Sequence, residues 1–300
     1  MTITTVARPR VDSSSRSAIL ALARIEGRLM LRHPAPWIGL ALTVWLALTS
    51  VDNDSWASAA YEDVLTSVSL LLIGVSVSSI YAFAREHTPV SEDAPVRPAQ
   101  RSAARLLGGL SLVALMAVVI GMGAVWLRVR GGVRLGDEPG RTEHAYYTAP
   151  ELLQPILLAA FAVALGAAAV HLLRHKIASL IVVFLYWFVF GAWYWIFNLG
   201  AMRWVTTMQI QPLFVKIEPA NTDPATFPST WRLSAPGVDQ DGWERLVISP
   251  GLAAWHDVYL IALTTLAIAI AVPSRFRRPL AIVGSLLAVA AVVMQQSVTP

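Results

Sequence analysis

The chain has 300 residues, 56% of them hydrophobic and only 14% charged, with a mean hydropathy of +0.58; an ordinary globular domain carries about 25% charged residues, so the composition excludes one and gives an integral membrane protein. Cysteine is absent, which excludes disulfides, thiolate metal sites and thiol lipidation. The net charge of +4 is spread beside apolar segments rather than gathered in one patch, so topology explains it and no nucleic-acid partner is expected.

Residues 1–17, MTITTVARPRVDSSSRS, are polar and lack an apolar core or small-residue cleavage site, which predicts a disordered cytoplasmic tail and no signal peptide. From Ala18 to Arg32, helical spacing places Arg24, Arg28 and Arg32 in one stripe and Ile19, Leu22, Ile25, Leu29 and Met30 opposite. That pattern predicts a helix lying in the membrane interface. Glu26 falls inside the apolar arc, between Ile19 and Leu22, and reads as a carboxylate that snorkels or pairs locally. His33, Pro34 and Pro36 end the helix.

Apolar runs then predict seven spans, at about 37–51, 64–83, 106–127, 152–170, 177–197, 255–272 and 280–294, with a polar outer segment at 198–254. The expected fold is an all-α polytopic membrane bundle of six to seven transmembrane helices over 18–300, preceded by the interfacial helix. The 37–51 run is short for a full crossing. Between the second and third spans lies a charged, proline-rich island, Arg85 to Arg105. Its arginines place it inside, its prolines block regular structure, and Gln100 to Arg105 starts a new helix, read as short and lying across the membrane face. The loop from Asp52 to Asp63 has no Lys or Arg and faces outside, whereas the loop after the third span carries Arg128, Arg130, Arg134 and Arg141 although alternation places it outside. HLLRHK makes a tight basic turn between antiparallel neighbours, and Ala160, Ala164, Ala168 and Gly166 allow close helix approach. Most of the 23 basic residues fall on one side, which predicts a multi-pass protein of the cytoplasmic membrane with its N-terminus inside.

Catalytic motifs are missing. No G-x-x-x-x-G-K-[ST] stretch exists, and neither Lys176 nor Lys216 follows a glycine, so no P-loop is expected in this chain. There is no H-E-x-x-H, and Gly74-Val-Ser76-Val-Ser78 lacks the closing glycine of a nucleophile elbow. His171 and His175 are spaced i, i+4 but sit beside Arg174 and Lys176, reading as a basic interfacial cap rather than a metal site. His256 and Asp257 read as the interfacial start of the sixth span. Aromatics from Phe184 to Phe197 crowd the fifth span and read first as interfacial belt and packing, the alternative being a path for an apolar substrate with Gln154, Tyr186, Tyr194 and Asn198 as its polar handles. The predicted span interiors hold no ionisable residue, so a transporter built this way draws its energy from elsewhere.

Three stretches, ARIEGRLMLRHPAPW, REHTPVSEDAPVRPAQRSAARLL and WHDVYLIALTTLAIAIAVPSRFRR, resemble the membrane subunits of bacterial ATP-binding-cassette exporters of the second type, the last looking like actinobacterial permeases of that group. The resemblance implies a separate cytoplasmic P-loop ATPase and pairing with a second permease subunit, self or sister, within the lipid bilayer. It implies a first ATPase contact at Glu26, Arg28 and His33, and a second at Arg85, Glu86, Arg101 and Arg105. It implies export of a hydrophobic or amphipathic substrate with no cofactor and no catalytic residue in this chain. Family members typically have six spans and extracellular helices after the fifth, so the 198–254 segment and the seventh span depart from the pattern. The alternative is a non-transporting membrane scaffold that binds a partner through the outer segment.

Overall fold

Prolines mark where the helices of this chain begin, since a proline in the first turn has no amide to leave unpaired and presets φ. In the computed structural model, residues 12–52, 59–85, 98–133, 144–192, 204–207, 213–216, 232–239, 242–272 and 275–298 are described. Helix α1 spans Asp12–Arg32, α2 Pro34–Ser50, α3 Ala59–Thr66, α4 Ser69–Ala84, α5 Pro98–Arg130, α6 Ala149–Leu173, α7 Lys176–Trp187, α8 Pro250–Ala271 and α9 Arg277–Val298. Pro34, Pro98, Pro150 and Pro250 stand in the first two positions of α2, α5, α6 and α8.

The helices run alternately between two ends of a bundle. Centrally placed α6 packs against α4, α5, α7 and α8, while α9 packs on α8 and α1 lies along the first half of α5. Five helical segments are long and apolar enough to cross a membrane: Asp63–Ala84, Ala99–Arg130, Ala149–Leu173, Pro250–Ala271 and Arg277–Val298. The chain is therefore a multi-pass helical membrane protein. Two further apolar helices, Pro34–Ser50 and Lys176–Phe190, are shorter.

Several boundaries differ from expectation. The helix predicted from Ala18 begins at Asp12, inside the expected tail, of which residues 1–11 lie outside the described residues. The second span is interrupted between α3 and α4, where Thr43 of α2 bridges the break: its hydroxyl donates to Ser67 O and accepts from Leu71 N. Residues 98–105 do not form a separate helix across the membrane face. They continue the axis of α5, a 33-residue helix about 50 Å long at ~1.5 Å per residue. In the fifth span α7 passes into a π-helical turn, Phe188–Ala192, and residues 193–197 of that predicted span lie outside the described residues. The all-α expectation also omitted a small antiparallel sheet, β1 Leu213–Lys216, β2 Arg232–Asp239 and β3 Gly242–Ile248, ordered β1-β3-β2. It falls in the outer segment, whose mixed prolines and tryptophans carry no clean alternation to read.

Small residues set the helix spacing. A Cβ on Gly74 would lie 2.5 Å from Ala35 O, and one on Gly39 2.6 Å from Leu70 O, so α2 and α4 touch backbone to backbone. On α6, Ala164 and Ala168 are buried and Gly166 meets Ser79 of α4, as the small-residue stripe predicted. Outward, Ile282, Leu286, Val289 and Val293 form an exposed apolar stripe on α9, suited to lipid contact.

Candidate functional site

Two buried polar clusters sit at opposite ends of the bundle. The first is built on Glu26. Its position in the apolar arc of α1 is explained by what faces it: Ala23, Glu26, Gly27 and Met30 form the buried side of the helix, turned toward α5 and α4. Arg85 Nη2, just past the end of α4, donates to Glu26 Oε2 at 2.7 Å, and Arg105 Nε, on α5, donates to Oε1 at 3.2 Å. Arg105 and Glu26 are both buried, whereas the Arg85 side chain is 42% exposed. Arg101 lies one turn before Arg105, buried, with Nε and Nη1 lacking any acceptor. Two guanidiniums meet Glu26, and the nearby Arg101 keeps donors to spare among the described residues.

The remaining predicted docking residues fall around it. Arg28 is exposed, with Arg24 and Arg32, on the face of α1 turned away from the bundle. His33 caps α2, its Nδ1 accepting from Ala35 N at 3.2 Å. That bond needs a neutral Nδ1, and partial burial holds the imidazole below its ordinary pKa. Its ring tilts against that of Tyr81 at 4.8 Å, and Lys176 Nζ stands 4.5 Å from the centre of the Tyr81 ring. Glu86 lies outside the described residues. His175 is also an N-cap, accepting from Ala178 N, while Arg174 before it takes a left-handed φ of 52°. That kink separates His175 from His171 and breaks the i, i+4 pairing. Among the described residues no three metal-ligating side chains gather.

The second cluster surrounds the first turns of α8 and overturns one expectation. Because α8 starts at Pro250, capped by Ser249, rather than at 255, His256 and Asp257 lie two turns inside a membrane-crossing helix and are buried. The span interiors are therefore not free of ionisable residues, and the argument that energy must come from elsewhere loses that support. His256 Nδ1 is 3.3 Å from Gln295 Oε1 on α9, and Gln154 Nε2 donates to Ala253 O at 3.4 Å. Among the described residues, four buried polar atoms here have no hydrogen-bond partner: Gln154 Oε1, His256 Nε2, Asp257 Oδ1 and Gln295 Nε2.

Residues 204–207 lie across this end. Phe190 O, released by the π-turn, accepts from the Thr206 hydroxyl and from Thr207 N at 2.9 Å, while Tyr259 OH donates to Val205 O at 3.0 Å. Tyr186 stands beside Thr207 and Tyr259, so the proposed path residues Gln154 and Tyr186 both border α8. Tyr194 and Asn198 lie outside the described residues. Trp187 is taken up by packing: its Nε1 donates to Ser76 Oγ at 3.0 Å and its ring meets Phe161 edge-on. Phe184 faces outward. Apart from both clusters, an apolar cleft of about 240 Å³ opens between α2 and α5, lined by Val44, Leu48, Val119, Met122, Trp126 and Leu127.

The architecture defines a polytopic helical membrane protein with a charged cluster joining its N-terminal helix to the bundle. Compared with models of known protein families, with curated proteins and with solved structures, the chain matches none.

Proposed function

We propose that this chain is the permease subunit of an ATP-driven exporter of the cytoplasmic membrane, moving a hydrophobic or amphipathic substrate and driven by a separate cytoplasmic P-loop ATPase. The observation that supports this most is the Glu26 cluster. The two elements that the resemblance implies as ATPase contacts are remote in sequence, yet Arg85 and Arg105 both close on Glu26. In this reading α1 is an interfacial helix whose exposed Arg24, Arg28 and Arg32 face a partner, and an acidic side chain of that partner completes the donors of Arg101. Glu26 and Arg105, being buried, transmit the contact into α4 and α5 rather than make it. All seven apolar segments cross, the bilayer thinning locally around the shorter α2 and α7, with the N-terminus inside. The basic residues support that orientation: Arg24, Arg28, Arg32, Arg85, Arg174 and Lys176 share one end of the bundle, in the sense of the inside bias of Arg and Lys. The apolar cleft between α2 and α5 suits a lipid-like substrate entering sideways, and pairing with a second permease subunit completes the pathway.

The test is affinity purification of the tagged chain in mild detergent from its native membrane. A P-loop ATPase should co-purify in near-equal amount, and the Arg28→Glu, Arg101→Gln double variant should lose it while the chain stays in the membrane. A chain that emerges with non-ATPase partners, lost on deleting residues 212–236, establishes the scaffold reading instead.

A further inference from the structure

The described bundle buries three carboxylates, and their surroundings differ. Glu26 is paired with two guanidiniums. Glu151, at the start of α6, accepts from Tyr61 OH at 2.6 Å on one oxygen and from Thr148 N and Oγ1 on the other, so each oxygen is bonded. Asp257 is equally buried, yet its Oδ1 has no donor, and no cationic side chain is paired with it among the described residues. A carboxylate held in a low-dielectric interior without a counter-charge is strongly disfavoured; inside a membrane span such a group marks an ion or proton site by default.

The neighbourhood specifies the sign and size of the missing partner. From α6, Gln154 presents Oε1 without a donor while its Nε2 holds Ala253 O, one turn before Asp257 on α8. Two acceptors from facing helices are thus left without donors around one turn. On α8 itself, His256 points to Gln295 and Tyr259 to Val205. Glu151 is the charged group one turn before Gln154, fully bonded, and α9 brings Gln295 but no charged side chain to this end. From α7, Tyr186 is the titratable neighbour. Among the described residues, nothing facing Asp257 supplies positive charge. We propose that Asp257, with Gln154 Oε1, is a binding site for a small monovalent cation, a proton or a sodium ion, lodged between α6 and α8. Occupancy neutralises the charge between these two helices, giving the bundle a cation-dependent state independent of the permease reading and of any ATPase.

The experiment uses the purified full chain in phosphatidylcholine–phosphatidylglycerol vesicles, treated with dicyclohexylcarbodiimide across a pH series in sodium or choline chloride and read by peptide mass spectrometry. The reagent modifies protonated carboxyls in apolar surroundings. Asp257 should be labelled while Glu26 and Glu151 are not, with labelling falling about tenfold per pH unit at the alkaline end. Protection by sodium but not choline identifies sodium as a ligand, and equal labelling in both salts identifies the proton alone. Gln154→Leu should move the pH midpoint by about one unit, or the half-protecting sodium concentration by about tenfold, the worth of one lost polar contact. Asp257 unlabelled at every pH in choline, or all three carboxylates labelled alike, overturns the proposal; an unmoved midpoint in Gln154→Leu removes Gln154 from the site.

Discussion

Glu26 and His33 are the residues on which the arginine-rich end depends. Removing one member of a buried pair leaves an uncompensated charge at a cost of about 3–5 kcal/mol, whereas exposed pairs contribute about 0–1 kcal/mol. Glu26→Ala, which takes its carboxylate from buried Arg105, should therefore destabilise the protein by about 3 kcal/mol, and Arg85→Ala, removing a partner that is 42% exposed, by less than about 1 kcal/mol. Denaturation in mild detergent compares them, and equal losses would show that the Arg105 pair does not hold α1. His33 gives a dependence on pH. Its folded pKa lies below the unfolded value of about 6.5, so the unfolded state takes up protons first as pH falls. The stability it supplies is complete above that range and declines as pH drops through it toward the lowered folded value. His33→Ala should flatten this decline and cost about 1 kcal/mol at neutral pH, the usual worth of an N-cap; a wild-type and variant with parallel pH curves would contradict the cap's role. The anomaly of Glu26 in an apolar arc was visible in the sequence, but its partners were not, because they depend on which helices become neighbours. Histidine caps escape recognition for another reason: Ser, Thr, Asp and Asn are the residues that signal a cap.

Among the elements, α1 and α5 make a close backbone contact that a substitution can probe. A Cβ on Gly108 would lie 2.9 Å from both Ala23 O and Gly27 N, backbone atoms that cannot swing aside. Gly108→Ala should wedge the helices apart and cost about 1–3 kcal/mol. Gly121→Ala, on the same helix with nothing near, should instead be neutral or gain up to about 1 kcal/mol from helix propensity. Thermal unfolding of the two variants in one detergent decides, and a neutral Gly108→Ala would mean the helices are not in backbone contact. Hydropathy made the existence of these elements legible, while their ends were not. The clearest case is α8, where Ser249-Pro250 is a cap-and-proline start signal; taking the helix from there would have put His256 and Asp257 inside it.

At the scale of the whole molecule, the two ends have different characters. One sets Arg85 and Arg105 on the buried carboxylate of Glu26; the other closes with bonded groups, Arg130 on Asp52 at 2.5 Å and Tyr61 with Tyr147 on Glu151 and the chain at residue 61, and buries Asp257 nearby. The bundle and its alternation were readable from span lengths, but the sheet of the outer segment was not, because nothing in its composition repeats at the strand period.

The Glu26 cluster also bears on how the chain is made. Its counter-ions lie 59 and 79 residues downstream, so during synthesis the carboxylate emerges long before either guanidinium exists. Until α5 is made, the N-terminal helix lacks its main packing partner and Glu26 lacks the buried guanidinium of Arg105. The native seat of α1 is therefore complete only once the chain has been made through α5.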